Sequence, residues 1–316
     1  MSDALSSERV LVTGAAGFVG AKVVELLAGS GRNVRAVDVV ENERSAAVAS
    51  LPGTEYVAAD LRDRAAVAQL LDGVSHVVHL AAVRSKSSDS NPRLSHEVNV
   101  DATYDLFAGA ALHGVRRIVF GSSHTVYGAF QDPEGFPFRE TETGRTGRGL
   151  SMYAATKLAA EAYLEAFVGA GGPEYLSLRF GTIYGPRVAE GSNNATMLDV
   201  LRALDDRAIP SVPWARDSRH GLVHVDDVAD SCARALWCQQ ANLAVNVVGE
   251  SVTAEDIYSS LVRLYGGDPG AIVWRESRTR YQTADRSRMR HVLGLGDCVP
   301  LEQGLQTFID WYRSEA

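Results

Sequence analysis

RVLVTGAAGFVG, from Arg9 to Gly20, carries a short apolar run through Gly14, Gly17 and Gly20 into the helical pattern AKVVELLAG. Glycines let a backbone turn tightly and come close to a pyrophosphate. The first turn of the following helix adds free amides and a dipole that favours an anion. The spacing is GxxGxxG rather than GxGxxG, so the segment alone reads either as a dinucleotide loop or as a tight strand-to-helix turn.

The flanking sequence repeats the same alternation. NVRAVDV leads to SAAVAS, EYVAAD to AAVAQLLDG, HVVHLAA to VNVDATYDLFAGAALHG, and RIVFGSS to SMYAATKLAAEAYLEAF, before YLSLRFGTIYG. Near-continuous apolar strands separated by helices imply a parallel sheet covered on both faces. The fold class is α/β, a doubly wound parallel sheet of the Rossmann type. After Pro186 the alternation weakens into a Gly/Asn-rich loop, a helix and the Pro-punctuated IPSVPW, which suggests a smaller C-terminal substrate-binding lobe. The strand GLVHV and the helix DVADSCARALW are expected to return to the sheet, with VNVVG as its last strand. On this reading residues 1–181 plus about 221–249 bind the nucleotide, and about 182–220 with 250–316 form the lobe.

With 316 residues and 46% hydrophobic content, the chain can bury a sizeable core. Its net charge of −8 comes from Lys and Arg mixed among Asp and Glu along the length, so no basic stripe points to nucleic acid or an anionic membrane. No apolar run approaches ~18 residues, and MSDALSSERV lacks the apolar core of a secretory leader, so a cytoplasmic protein is expected. Cys232, Cys238 and Cys298 form no CxxC and cannot all pair, which suits a reducing compartment. His220 and His224 flank a strand pattern, where an i,i+4 pair lies roughly 13 Å apart, too far to share one metal ion.

Asp38 ends the second strand, where a carboxylate can accept hydrogen bonds from an adenosine ribose and would repel a 2′-phosphate. That favours NAD, although Arg35 and Arg44 leave NADP a route; a solvated strand-end acid is the plainer alternative. Ser151 is placed to cap a helix on which Tyr153 and Lys157 share a face one turn apart. A phenol normally ionises near pH ~10, and a nearby ammonium with a positive nicotinamide ring would favour its phenolate. Ser122 and Ser123 follow a parallel strand, at the edge where the cofactor crevice of such a sheet lies, so Ser123 could hydrogen-bond a reacting substrate oxygen. Read singly, the pair could equally be an ordinary polar helix shoulder, and the serines ordinary turn residues.

Taken in order, the motifs are more specific. TGAAGFVG, Asp38, Asp60-Leu61, HLAA (His79–Ala82), NVDATY (Asn99–Tyr104), SSHTVYG (Ser122–Gly128), YAATK (Tyr153–Lys157), LRFGTIYGP (Leu178–Pro186) and HVDDVA (His224–Ala229) span nearly the whole chain. Together they resemble the extended short-chain dehydrogenases/reductases of the NAD-dependent epimerase/dehydratase family. The resemblance implies a bound NAD contacted by Gly14, Gly17, Phe18, Val19 and Gly20, with Asp38 at the ribose, Asp60 and Leu61 near the adenine, and Leu80, Ala81 and Ala82 along its path. Asn99, Ser122 and Phe180 complete that set. Lys157 would hold the nicotinamide ribose, Tyr153 would act as general base and then acid, and Ser123 would be the hydroxyl partner. Asp227 looks like a helix cap and His224 like a structural residue. In the resembled family the helices over 98–113 and 152–168 build a dimeric four-helix bundle, so a homodimer is expected.

Relatives that eliminate water or CO2 carry acids directly after the active hydroxyl, where this chain has His124 and Thr125. The SSxTVYG form resembles nucleotide-sugar 4-epimerases, in which a hydride passes to NAD, the 4-keto sugar turns over and the hydride returns to its other face. The usual diphosphate-binding arginine is replaced by His220, with Arg219 one residue earlier, while Arg275 fits a second such arginine. These departures also suit a smaller anionic substrate held by Arg84, Lys86, Arg145, Arg148 or Arg187, bidentate arginine contacts being apt for carboxylates. The expected substrate-binding set is therefore Arg84, Ser123, His124, Arg187, Arg219 and Arg275, on a small molecule that is a nucleotide-sugar. An NAD-dependent dehydrogenase of a sugar, sugar acid or other hydroxy compound is the alternative, and a non-catalytic dinucleotide-binding regulator a more remote one.

Overall fold

Residue alternation in β1 (Arg9–Thr13) sets up the two layers: Val10 and Val12 enter one apolar cluster and Leu11 the other. All three are fully buried, each contributing roughly 1.5–3 kcal/mol of transfer free energy. The computed structural model describes residues 8–128, 136–142, 149–188 and 195–315, without the side chains of Ser85 and Lys86. Arg145 and Arg148 lie outside the described residues, as does the side chain of Lys86.

After β1 come β2 (Asn33–Asp38), β3 (Thr54–Ala58), β4 (Val74–His79), β5 (Arg117–Ser123), β6 (Glu174–Phe180), β7 (Thr182–Tyr184), β8 (Ser211–Val212), β9 (Arg219–His224), β10 (Leu243–Val247), β11 (Ser251–Thr253), β12 (Val273–Trp274) and β13 (Tyr281–Gln282). Seven of them form one sheet in the order β10-β6-β5-β4-β1-β2-β3, every pair parallel. The order reverses between β1 and β4, which opens a crevice beyond their C-terminal ends.

Helices Phe18–Gly29 and Val225–Trp237 pack together over one face, and Ala102–Leu112 with Met152–Gly169 over the other. A third cluster, including Tyr184, Leu201, Leu222, Leu261 and Phe308, forms the core of the C-terminal lobe.

One expectation is corrected. The helix Val225–Trp237 and β10 do return to the seven-stranded sheet, but the strand over GLVHV does not. β9 belongs to a separate four-stranded sheet, parallel to β7 and β13 and antiparallel to β11. The physical reason is that β10 already occupies the exposed edge of β6, leaving β9 to pair with the chain that leaves it through β7.

Candidate active site

Gly14 turns the chain at the end of β1 with φ +71°, and a Cβ there would lie 2.8 Å from the Ala81 amide nitrogen. A Cβ at Gly17 would lie 2.9 Å from the Gly14 carbonyl oxygen, and one at Gly20 would collide with that same oxygen. Helix Phe18–Gly29 starts at Gly17 with no side-chain cap and no acid in its first turn. Its first amides, together with that glycine cradle, suit a pyrophosphate. Phe18 and Val19 head the helix, both partly exposed.

The carboxylate of Asp38 accepts hydrogen bonds from the amides of Ala16 (3.0 Å) and Val39 (2.8 Å), holding it against the loop. Asp60 lies beyond β3 and is held below the usual carboxylate range by Arg62, whose guanidinium reaches it at 2.6 Å; Leu61 is buried. Leu80 and Ala81 continue β4, their amides bonded to the Thr13 hydroxyl, and Ala82 follows, partly exposed. Arg35 is turned away, its guanidinium spent on Glu55 and the carbonyls of Leu70 and Asp72. Arg44 donates to the carbonyls of Ala16 and Arg187.

Beside this loop, β5 delivers Ser122 and Ser123 at its C-terminal end, both buried and paired with Arg179 and Phe180 of β6. Ser123 Oγ accepts from the Thr125 amide (3.2 Å) and hydroxyl (3.0 Å), which leaves its own proton for a further partner. Ser151 caps helix Met152–Gly169 through the Ala154 amide. Two turns of that helix set Tyr153 and Lys157 over the end of β5. Lys157 Nζ donates to the Gly121 carbonyl at 2.8 Å and lies 5.6 Å from the centre of the Tyr153 ring. Glycine at 121 lets Leu80 and Phe180 close on the strand, since a Cβ there would lie 2.8 Å and 3.1 Å from them.

The electrostatics differ from expectation. Burial pushes the Tyr153 phenol up to about 12, and the charge that opposes this is Arg84, not Lys157. Burial pulls Lys157 down to about 7 against the attraction of Glu161. The protein alone therefore favours the neutral phenol, because removing a phenolate from water costs more than its neighbouring cations return.

Other expected residues divide. Asn99 is held firmly in place: its amide group bonds Val83, Ser95 and Thr156, bracing the segment after β4 against the Tyr153 helix. Arg187 is exposed and reaches Glu25 at 3.5 Å, on the outside of the glycine-loop helix. Strand alternation turns Arg219 out and His220 in, and Arg275 is exposed after β12. His124 is buried directly after Ser123. The helix after β9 is capped by His224, through the Asp226 amide at 3.3 Å, and not by Asp227, which instead accepts from the Val299 amide.

Sequence reasoning missed a network beneath the site. Arg179 clasps Glu161 with two hydrogen bonds of 3.0 and 2.8 Å and also reaches the Tyr127 hydroxyl and the Glu140 carbonyl. Tyr127 in turn donates to Asn246. The one available signal was that Glu161 follows Tyr153 and Lys157 at four-residue steps on the same helix face.

The model of the NAD dependent epimerase/dehydratase family matches residues 10–247. The chain is 29% identical to UDP-glucose 4-epimerase of Mycolicibacterium smegmatis, over 98% of this chain and 99% of that one. Among solved structures, UDP-glucose 4-epimerase of Thermotoga maritima with UDP-glucose aligns with a TM-score of 0.84 at 26% identity, covering 97% and 99% of the two chains. MoeE5 in complex with UDP-glucuronic acid and NAD aligns with a TM-score of 0.84 at 30% identity, covering 98% and 100%. The glycine cradle, the uncapped helix start and the strand-end carboxylate of Asp38 fit the same cofactor. The chain belongs to the NAD dependent epimerase/dehydratase family and is an NAD-using enzyme of the extended short-chain dehydrogenase/reductase type.

Proposed function

We propose that this enzyme is a nucleotide-sugar 4-epimerase and that Ser123, Tyr153 and Lys157 carry its chemistry. The observation that supports it most is the arrangement around the end of β5: a serine hydroxyl with a free proton at its last residue, and a lysine anchored to the Gly121 carbonyl of the same strand beneath a phenol. When bound, NAD supplies the two-electron acceptor and donor for the sugar carbon. Ser123 orients the 4-hydroxyl by hydrogen bonding, and Tyr153, whose phenolate would be favoured once the positive charge of bound NAD adds to that of Arg84, takes the hydroxyl proton at Oη and later returns it. Lys157 holds the ribose side of the cofactor beneath the phenol, so that most of the catalytic effect comes from placement and field. Gly14, Gly17 and Gly20 take the pyrophosphate, and Asp38 the adenosine ribose. The absence of an acid at His124 and Thr125 supports epimerisation over elimination.

The same reading includes a homodimer joined through helices Ala102–Leu112 and Met152–Gly169, which present Tyr104, Leu112, Met152 and Tyr163 to solvent. A cytoplasmic site is supported by three free thiols. Among the described residues, no helix is long and apolar enough to cross a membrane.

The experiment is incubation with UDP-glucose and UDP-glucuronic acid, reading product stereochemistry and NADH together. The expected result is conversion to the C4 epimer without stoichiometric NADH. Steady NADH release with an oxidised product would overturn epimerisation in favour of a dehydrogenase.

A further inference from the structure

The proposed chemistry leaves one ionised side chain in the core unused. Glu161 follows Lys157 by four residues on helix Met152–Gly169, so their Cβ atoms lie about 6 Å apart on one face. Its carboxylate is 12% exposed and accepts from Ser177 Oγ (2.7 Å) and from Arg179 Nε (3.0 Å) and Nη2 (2.8 Å). Ser177 and Arg179 stand on either side of Leu178, whose partner on β5 is Gly121. The Gly121 carbonyl is where Lys157 Nζ is anchored, so the carboxylate is held one strand away from that anchor.

The groups packed around Lys157 leave that carboxylate as its counter-charge. Burial keeps His79 on β4 and His124 after β5 neutral, bringing them down to about 3 and about 4. Arg84, on the segment after β4, bears on Tyr153. On the neighbouring helices Glu97 is paired with Arg93, Asp101 with His96 and Asp105 with Arg64, and Asp89 is exposed. β5 supplies the Gly121 carbonyl and the Phe120 ring, whose centre is 4.7 Å from Nζ. Burial pulls the Lys157 ammonium down to about 7, and the charge that opposes burial is Glu161. Glu161 itself stays an anion: burial works against its charge, but Arg179 outweighs burial and holds the carboxyl below the usual carboxylate range.

We propose that Glu161 is a positioning residue that keeps Lys157 an ammonium during turnover, and that Arg179 sets how strongly it does so. The inference rests on the assignment of Lys157 to the cofactor ribose and deepens it. An ammonium has three protons, of which one is spent on Gly121 and two remain for ribose oxygens; an amine has two protons and a lone pair that would face one of those oxygens. Removing the carboxylate leaves the Arg179 guanidinium near Lys157 with no anion between them, which disfavours the ammonium. Removing the guanidinium frees the carboxylate for the lysine, which favours it. A mere brace would suffer alike from either loss, whereas this device answers the two in opposite directions.

The test is kcat of the NAD-loaded enzyme from about pH 6 to about pH 10, on UDP-glucose or UDP-glucuronic acid, whichever is converted faster. Wild-type turnover should fall on the alkaline side as Lys157 loses its proton. E161Q lowers the proton affinity of Lys157 and should move that fall to lower pH by about one unit or more; R179M raises it and should move the fall to higher pH, with E161Q/R179M between the two. If only one single variant folds, its direction decides. If neither folds, E161D, which keeps the charge but draws it back by one methylene, should move the fall to lower pH, and an unmoved fall overturns the proposal. Single variants that lose turnover with the fall in place, or that shift it the same way, overturn the role of Glu161 and leave the epimerase reading standing. A wild-type profile with no alkaline fall does the same. Wild type that converts neither sugar at any pH overturns both.

Discussion

At the level of single side chains, the site holds two groups far from their ordinary proton affinities in opposite directions: the Tyr153 phenol at about 12 and the Lys157 ammonium at about 7. A phenol kept neutral by burial gives up its place as a proton carrier only if deleted. Y153F is therefore expected to retain NAD through purification and to lose roughly 10²- to 10⁴-fold in turnover. Activity within about tenfold of wild type would mean that the proton leaves by another route. Lys157 makes a prediction about stability. In the unfolded chain it titrates at its usual 10.5, whereas in the fold it does so near 7. Between those values the unfolded chain binds a proton that the folded one lacks, so stability climbs as pH rises through that window, and the penalty of burying the charge is largest below it. In cofactor-stripped protein, the urea midpoint of wild type should gain on that of K157M from about pH 7 to about pH 10. A difference that stays flat would show that burial does not displace this proton.

At the level of elements, the helix Met152–Gly169 works as a rigid arm because its far end is bolted to β6. Glu161 and Arg179, at 12% and 5% side-chain exposure, form a desolvated pair, and Ser177 adds a third hydrogen bond to the same carboxylate. Removing one partner leaves a buried charge, so E161A should cost about 3–5 kcal/mol in denaturant unfolding, while the apolar double replacement E161L/R179M should cost markedly less. Singles within about 1 kcal/mol of wild type would mean that something else fixes the arm. The glycine loop makes the complementary case: a Cβ at Gly20 meets the Gly14 carbonyl, so G20A should retain less than about a tenth of the wild-type NAD content, because the loop must move off the pyrophosphate. Backbone needs of this kind leave glycines in the sequence, and for that reason the loop, the parallel strands and the Tyr153–Lys157 spacing were all readable from it. Arg179 was not, because its partner lies on another element and nothing in LSLRF announces one. GLVHV was assigned to the wrong sheet for a related reason. An apolar strand declares that both its faces are covered, but not which edge it will meet. The choice between Arg219 and His220 needed the register of β9, which sequence alternation alone leaves undefined by one residue.

At the level of the whole molecule, the helices Ala102–Leu112 and Met152–Gly169 also form an outer face. Tyr104 and Tyr163 meet edge to face at 5.2 Å across the two helices, Phe167 packs against Tyr104 at 5.5 Å, and Leu112 is 87% exposed at the end of the first helix. A cavity of about 660 Å³ opens beside them, lined by Asp60, Arg62, Glu97, Asp101, Tyr104 and Tyr163. Aromatic and aliphatic groups gathered on one pair of helices are the kind of patch that two copies can bury against each other about a two-fold axis. Light scattering should then give twice the 33.9 kDa chain mass for wild type. The Y104E/Y163E double variant should give the single-chain mass, since four added carboxylates would face one another across the axis. Because Met152–Gly169 bears Tyr153 and Lys157 on its inner side, loss of the dimer should also loosen that arm and lower turnover more than substrate affinity. Wild type that stays monomeric at micromolar concentration would remove this interface, and would leave the exposed aromatics to be explained by some other partner.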